Sequence, residues 1–201
     1  MSPISISAAI LAGGQSKRLG GDDKSLFRTN GITFLESVYK ALGESFHEIF
    51  VISNKSKKIE EMGFMAHADV IPDKGPLGGL YTALSLCATQ KLLLVACDMP
   101  FLDSNLVKNF ILSVSNEDVF IPINQSSPEP LFAVYDRKCL PAIIDKIERE
   151  ELQMTSFFSG LKVRYLEEET WRKWDVEGES FKNINTPDDI EYSEKFIERS
   201  F

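Results

Sequence analysis

Lys91 to Cys97 reads Lys-Leu-Leu-Leu-Val-Ala-Cys, six apolar residues after a single charge. Such a run is a central, buried strand, and it runs straight into Asp98-Met99-Pro100-Phe101. Two shorter apolar runs, Ile6 to Leu11 and Glu48 to Ser53, have the same character. Helical patterns separate them. Phe34, Leu35, Val38 and Leu42 fall at helical spacing, with Thr33 placed to cap them. Leu77, Leu80, Leu84 and Ala88 form an apolar stripe behind Pro76, which suits the first position of a helix. Strand and helix in alternation predict an α/β fold with a mainly parallel sheet.

The C-terminal half is more mixed. Val119 to Ile123 and Leu131 to Tyr135 read as strands around a polar turn, Asn124 to Pro130, the second strand antiparallel. A short third strand is expected within Phe64 to Val70, and another at Val163 to Leu166. Ile143, Ile144 and Ile147 mark a helix, and Glu148 to Glu151 a solvated face. Met154, Phe157 and Phe158 read as the core of a short helix, Trp171 and Trp174 as covers of the core edge. Asp103 caps a helix carrying Leu106, Phe110 and Leu112.

The first strand breaks into Leu11-Ala-Gly-Gly-Gln-Ser-Lys-Arg-Leu-Gly-Gly-Asp-Asp-Lys24. Glycine lets backbone N–H groups approach a ligand, and successive N–H groups form an anion-binding concavity. Lys17, Arg18, Lys24 and Arg28 outnumber Asp22 and Asp23 there, in a chain of net charge -8. That contrast points to a phosphate site. The loop is not a P-loop, since Lys24-Ser25 follows Asp23 rather than glycine, and it lacks the Gly-x-Gly-x-x-Gly fingerprint.

Two further places look ligand-facing. Gly78 and Gly79 occupy the first turn of a helix, where each costs about 1 kcal/mol against alanine. Either a ligand or tight helix–sheet packing accounts for them. Asp98 stands where a buried parallel strand ends, at the crevice in which such sheets bind ligands. Mg²⁺ favours one or two carboxylates completed by water and phosphate, which makes Asp98 the candidate metal ligand. Asn183 and Asn185 share one face of an extended segment before Thr186, a cap, and Pro187, which opens the last helix.

The 201 residues suit one domain, with a nucleotide-binding part over about 1–115 and a substrate part over about 116–201. The acidic balance argues against general nucleic-acid or anionic-membrane binding. Cys87, Cys97 and Cys139 make no Cys-x-x-Cys pair and read as buried thiols. Without a signal-peptide pattern or an apolar run near 18 residues, the expected compartment is a reducing cytoplasm. Neither His47 nor His67 falls in a motif.

Leu11 to Lys24, Gly75-Pro-Leu-Gly-Gly-Leu80, Cys97-Asp-Met-Pro-Phe101, Glu129-Pro-Leu-Phe-Ala-Val-Tyr135 and Asn183-Ile-Asn-Thr-Pro-Asp-Asp189 together strongly resemble the molybdenum cofactor guanylyltransferases of MobA type. The resemblance runs over almost the whole chain. It implies a three-layer α/β sandwich, Rossmann-like, with a mostly parallel sheet. It implies transfer of GMP from GTP to the terminal phosphate of molybdenum-molybdopterin, giving the guanine dinucleotide cofactor and pyrophosphate. By position, Leu11, Ala12, Gly13 and Gly14 would cradle the nucleotide, Arg18 and Lys24 its phosphates. Asn54 and Asp73 would meet base and ribose, and Asp98 would carry Mg²⁺. Asn183 and Asn185 match the pterin side. The short Asp73-Lys74 spacer before Gly75 departs from the pattern and makes Asp69 a rival to Asp73. Molybdopterin-insertion proteins and apo-molybdoenzymes or their chaperones are the implied partners. Two other readings stand beside this one: a cytidylyl- or sugar-phosphate transferase of the same fold, and a catalytically silent nucleotide-binding partner.

Overall fold

The computed structural model describes residues 5–12, 28–29, 31–43, 46–184 and 189. In chain order the elements are β1 (Ile6–Leu11), β2 (Arg28–Thr29), β3 (Ile32–Thr33), α1 (Phe34–Leu42), β4 (Ile49–Ile52), α2 (Ser56–Glu61), β5 (Ala66–His67), α3 (Gly75–Leu86) and β6 (Lys91–Ala96). Then follow α4 (Ser104–Leu112), β7 (Val119–Asn124), β8 (Ser127–Pro128), β9 (Phe132–Asp136), a single 3-10 turn, α5 (Leu140–Glu148), β10 (Val163–Leu166) and α6 (Glu168–Trp171).

The strands order as β10-β7-β9-β6-β1-β4-β5, with β8 folded onto β7 and β2–β3 a separate ribbon. All neighbours along the path are parallel except β9, which is antiparallel to both β6 and β7. Its reversal follows from the short connection between β7 and β9, because a few residues can link antiparallel strands only. The hairpin inside that connection turns on Gln125 and Ser126, with φ of 48° and 64°. Positive φ at both central residues fits the twist of the flanking strands. The Glu168 carboxylate accepts from the Gln125 N–H at 2.8 Å and holds the turn.

Strand alternation sorts the core into two layers. Ile6, Ala8 and Ile10 of β1 and Leu93 and Val95 of β6 face Leu35 and Val38 of α1 and Leu106 and Phe110 of α4. Ala9 and Leu11, with Leu92 and Leu94, face Leu77, Leu80 and Leu84 of α3 and Ile143 and Ile147 of α5. The result is a sheet between two helical layers. Thr33 caps α1 with a reciprocal Glu36 box, and Asp103 caps α4 through Asn105 N–H at 2.6 Å.

At the amino ends of the parallel strands a polar knot anchors the sheet. The buried Ser7 N–H donates to Thr89 Oγ1 and its hydroxyl to Glu48 Oε1, both at 2.8 Å. Nearby, the Lys91 ammonium lies 3.4 Å from Asp136 and donates to the Glu117 carbonyl.

Several expectations need correction. Met154 and Phe157 are buried, but they sit on successive turns with i→i+3 bonds (Ser156 N–H to Gln153 O, Phe158 N–H to Thr155 O) rather than on a helix. Trp171 does not cover an edge. It is fully buried, its indole N–H donating to Ile123 O at 2.7 Å. The third strand shrinks to Ala66–His67, enough to pair the end of β4. α3 stops at Leu86, so Ala88 lies beyond it and is exposed. Leu112, in the last turn of α4, points to solvent. Thr186 and Pro187 lie outside the described residues.

Candidate functional site

The carboxyl ends of β4, β1 and β6 lie side by side. Ala12 N–H donates to Ile52 O at 2.9 Å, and Cys97 N–H to Leu11 O at 3.0 Å. The chain therefore leaves the sheet at Ala12 directly beside the segment that carries Asp98. Asn54 follows β4 on the other side and is exposed. Gly13, Gly14, Arg18 and Lys24 lie outside the described residues, as does Asn185.

The first turn of α3 closes over this ridge. A Cβ on Gly79 would stand 2.9 Å from Leu11 Cδ2 and 3.7 Å from Asp69 Oδ1. One on Gly78 would meet Lys74 Cβ at 2.8 Å and Ile71 O at 3.2 Å. Close packing thus accounts for both glycines, and at Gly79 the neighbour is the strand end itself. The helix has no side-chain cap at Lys74. Its amino end therefore keeps donor N–H groups and a positive dipole at the site.

Asp69 is held there by its neighbours. Val70 N–H donates to Thr82 Oγ1 at 3.0 Å, and the Thr82 hydroxyl donates to Gly78 O at 2.9 Å. Asp69 Oδ1 is buried and has no hydrogen-bond partner among the described residues. Burial pushes its carboxyl above the usual range, and the negative charge of Asp73 adds to this. Asp73 itself is exposed and left-handed, with φ of 61°. The rim thus holds one aspartate with a buried, unpartnered oxygen, Asp69, and one whose carboxylate lies in water, Asp73.

On the other side of Asp98 lies the chain's late segment. Ile184 N–H donates to Asp98 O at 3.0 Å, which sets Asn183 beside the end of β6. Asn183 Oδ1 is likewise buried, with no hydrogen-bond partner among the described residues. The segment is fixed from three directions. Phe181 packs edge-on against Trp171 at 4.7 Å and Phe132 at 5.3 Å between ring centroids. The Ser180 hydroxyl oxygen accepts from Asp103 N–H at 2.9 Å. The buried Asp175 carboxylate accepts from Gly178 and Ser180 N–H groups at 2.9 and 3.0 Å. Asp175 and Ser180 carry no sequence signal of this task, since an Asx turn looks the same anywhere on a surface.

Leu11, Ala12, Asp69, Asp98 and Asn183 are thus brought to one rim. Over residues 8–162 the chain matches the MobA-like NTP transferase domain.

The chain belongs to the MobA-like NTP transferase family.

Relatives extend the match to nearly the full length. A Clostridium perfringens protein named "Probable molybdenum cofactor guanylyltransferase" is 35% identical over 199 residues, covering 94% of this chain and 96% of its own. The Haemophilus influenzae molybdenum cofactor guanylyltransferase is 31% identical, covering 93% and 96%. The crystal structure of molybdopterin-guanine dinucleotide biosynthesis protein A from Archaeoglobus fulgidus superposes with a TM-score of 0.83 at 26% identity, covering 96% of this chain and 99% of that one. The chain is therefore a nucleotidyltransferase. No helix among the described residues is long and apolar enough to cross a membrane.

Proposed function

We propose that the protein transfers GMP from GTP to molybdenum-molybdopterin, forming the guanine dinucleotide cofactor and pyrophosphate. The observation that carries this reading is the bond from Ile184 N–H to Asp98 O at 3.0 Å. It joins the segment proposed for the pterin to the strand end proposed for the nucleotide, so the two substrates meet at Asp98.

The terminal phosphate of the acceptor is a monoester, largely dianionic near pH 7 because its second pKa is about 6. It is nucleophilic without a general base. One of its oxygens forms the new bond to the α-phosphorus of GTP while the α–β bridging bond breaks and the electron pair leaves on pyrophosphate. The obstacle is bringing two anions together, and catalysis is mainly positioning and charge neutralisation. Arg18 and Lys24 supply positive charge from the glycine loop, and the uncapped amino end of α3 adds donors. In this reading Asp69 rather than Asp73, with Asn54 beside β4, accepts from the N1–H and 2-amino group of guanine.

Mg²⁺ is the metal of this reading. No group of three or more His, Cys, Asp or Glu able to cage a metal occurs among the described residues. Asp98 is a hard oxygen ligand of the kind that holds Mg²⁺ jointly with phosphates. When bound, the ion neutralises charge on the triphosphate. Asn183, with Asn185, holds the pterin substrate. We place the reaction in the cytoplasm, with insertion proteins and apo-molybdoenzymes or their chaperones as recipients of the product.

Thermal melting with GTP, CTP, ATP and UTP, each with and without Mg²⁺, tests the reading. A ligand at about 100 times its dissociation constant stabilises the fold by roughly 2.7 kcal/mol. Selective, Mg²⁺-enhanced stabilisation by GTP is expected, and Asp98→Ala removes the enhancement and the transfer activity. Preference for CTP, or unchanged transfer in Asp98→Ala, overturns it.

A further inference from the structure

The reaction as drawn leaves one half-buried carboxylate at the rim without a task. Glu129 sits where the β7–β8 hairpin turns into β9. Its N–H donates to Pro122 O, and its carbonyl accepts from Phe132 N–H, both at 3.0 Å. Leu131, two residues on, accepts from Ala96 N–H at 2.9 Å, and Ala96 lies two residues before Asp98. Glu129 therefore borders the same end of the sheet as Asp98 and Asn183, on the side away from the glycine loop.

Its side chain has one partner among the described residues: Oε1 accepts from Asn124 Nδ2 at 2.9 Å. Three fully buried carboxylates among the described residues are better matched. Glu117 meets Arg164 at 2.9 Å, Asp136 meets Lys91 at 3.4 Å, and Asp175 takes two backbone N–H groups. Burial pushes the Glu129 carboxyl up, and the Asn124 bond offsets only part of this. An anion withdrawn from water without a cation is costly unless hydrogen-bond donors replace the water. Among the described residues the rim holds two such carboxylates, Asp69 on the nucleotide side of Asp98 and Glu129 on the other.

The chemistry of the proposed substrates matches that pairing. Guanine and a pterin both present a 2-amino-4-oxopyrimidine edge: an amino donor, a ring N–H donor, then a carbonyl acceptor. A carboxylate accepts the two donors side by side. An adjacent amide N–H completes the set toward the carbonyl, and Asn124 Nδ2 carries a second hydrogen besides the one given to Glu129. We propose that Glu129, with Asn124, reads the 2-amino-4-oxopyrimidine edge of the pterin substrate and so sets acceptor specificity. The proposal rests on the guanylyltransferase reading above for the identity of the two rings.

The test uses two stable, fluorescent probes that differ only at the edge in question: pterin, and lumazine, which has an oxo group in place of the 2-amino group. Each is titrated into the full chain with Mg²⁺ and saturating GTP, so that the guanine site is filled. GTP affinity is measured separately. The wild-type protein binds pterin at least tenfold tighter than lumazine. Glu129→Gln, whose amide opposes a donor to the amino group, loses that preference, and Asn124→Ala weakens pterin several-fold. GTP affinity stays within twofold in both. Equal binding of the two probes by wild type, no pterin binding at all, or undiminished preference in Glu129→Gln overturns the proposal while GTP binding leaves the nucleotide reading standing. A Glu129→Gln loss of GTP affinity with pterin unaffected assigns the carboxylate to guanine instead. Absence of GTP binding by wild type is the separate failure of the guanylyl reading. Glu129→Ala, which removes the carboxyl without adding a donor, repeats the test if the glutamine variant melts early.

Discussion

Replacing Gly79 by alanine sets two opposed effects against each other at the strand end. Alanine is favoured over glycine inside a helix by about 1 kcal/mol. Against this, the new methyl would stand 2.9 Å from Leu11 Cδ2, at least 0.5 Å inside the 3.4–4 Å of ordinary contact. Leu11 has little room to yield, being 9% exposed and tied through its carbonyl to Cys97. Overpacking of this kind costs about 1–3 kcal/mol. The clash wins, and Gly79→Ala loses about 1 kcal/mol in urea unfolding. Leu11→Val ends one carbon short of the clashing atom. In the Leu11→Val background the same alanine therefore meets no obstacle, and the helix preference makes it neutral or stabilising. The double-mutant cycle gives a coupling of about 1–2 kcal/mol. Because Leu11 leads into the glycine loop, GTP affinity falls in Gly79→Ala and recovers in the double variant. Additive effects within about 0.3–0.5 kcal/mol would show that Gly79 and Leu11 do not meet.

Asp69→Asn separates stability from function. In the folded chain the Asp69 carboxyl keeps its proton to a higher pH than in the unfolded chain, so folding loses stability as pH rises above its ordinary value of 3.8. Without nucleotide, Asp69→Asn melts higher than wild type at pH 7 and equally near pH 3, yet binds GTP at least tenfold more weakly, whereas Asp73→Asn, which removes only the neighbouring charge, raises melting at pH 7 by less and leaves GTP affinity unchanged; melting curves and GTP titration check this. Lys91→Met leaves the buried Asp136 without its cation and costs about 3–5 kcal/mol at pH 7 by urea unfolding. Burial raises Asp136, but the Lys138 N–H, the Gln90 amide and Lys91 outweigh it and hold the carboxyl below its usual value. Its contribution is therefore present above pH 4 and fades as pH falls through the lowered value, so the Lys91→Met penalty shrinks in acid. Burial pushes the Cys139 thiol up to about 12. Iodoacetamide at pH 8 leaves Cys139 unmodified in the native protein and alkylates it in urea, as mass spectrometry of the peptide reads; rapid native labelling would contradict the burial.

What could be read before the fold was known follows from short-range causes. The runs around Ile10, Val51 and Leu94 are apolar on both faces, and only a sheet covered by helices on both sides accommodates that. The caps at Thr33 and Asp103 depend on residues within three positions. Asp98 stood out because a carboxylate follows a long apolar run. Long-range pairing hid the rest. Asp69 looks like any loop aspartate until Gly79 and Thr82 close over it. Trp171 reads as an edge residue because the carbonyl that takes its indole N–H, that of Ile123, lies 48 residues earlier, and Phe181 meets it only once the chain turns back. The segment around Met154 carries helix-like spacing, but Gly160, at φ of 81°, and the turns before it bury the same side chains without a helix.

The reversed strand β9 has a geometric consequence for the rim. Every parallel strand delivers its following loop to the carboxyl edge, and those loops crowd one another at the strand spacing of about 4.8 Å. β9 runs the other way and sends the chain onward from the opposite edge, into the 3-10 turn and α5. Between the outgoing segments of β6 and β7 the chain enters β9 instead of leaving it, through Glu129, Pro130 and Leu131, whose carbonyl takes the Ala96 N–H at 2.9 Å. The reversal thus delivers the far end of the β7–β8 hairpin, with Glu129, to the edge that carries Asp98, where a strand running with the rest would have sent out its following helix.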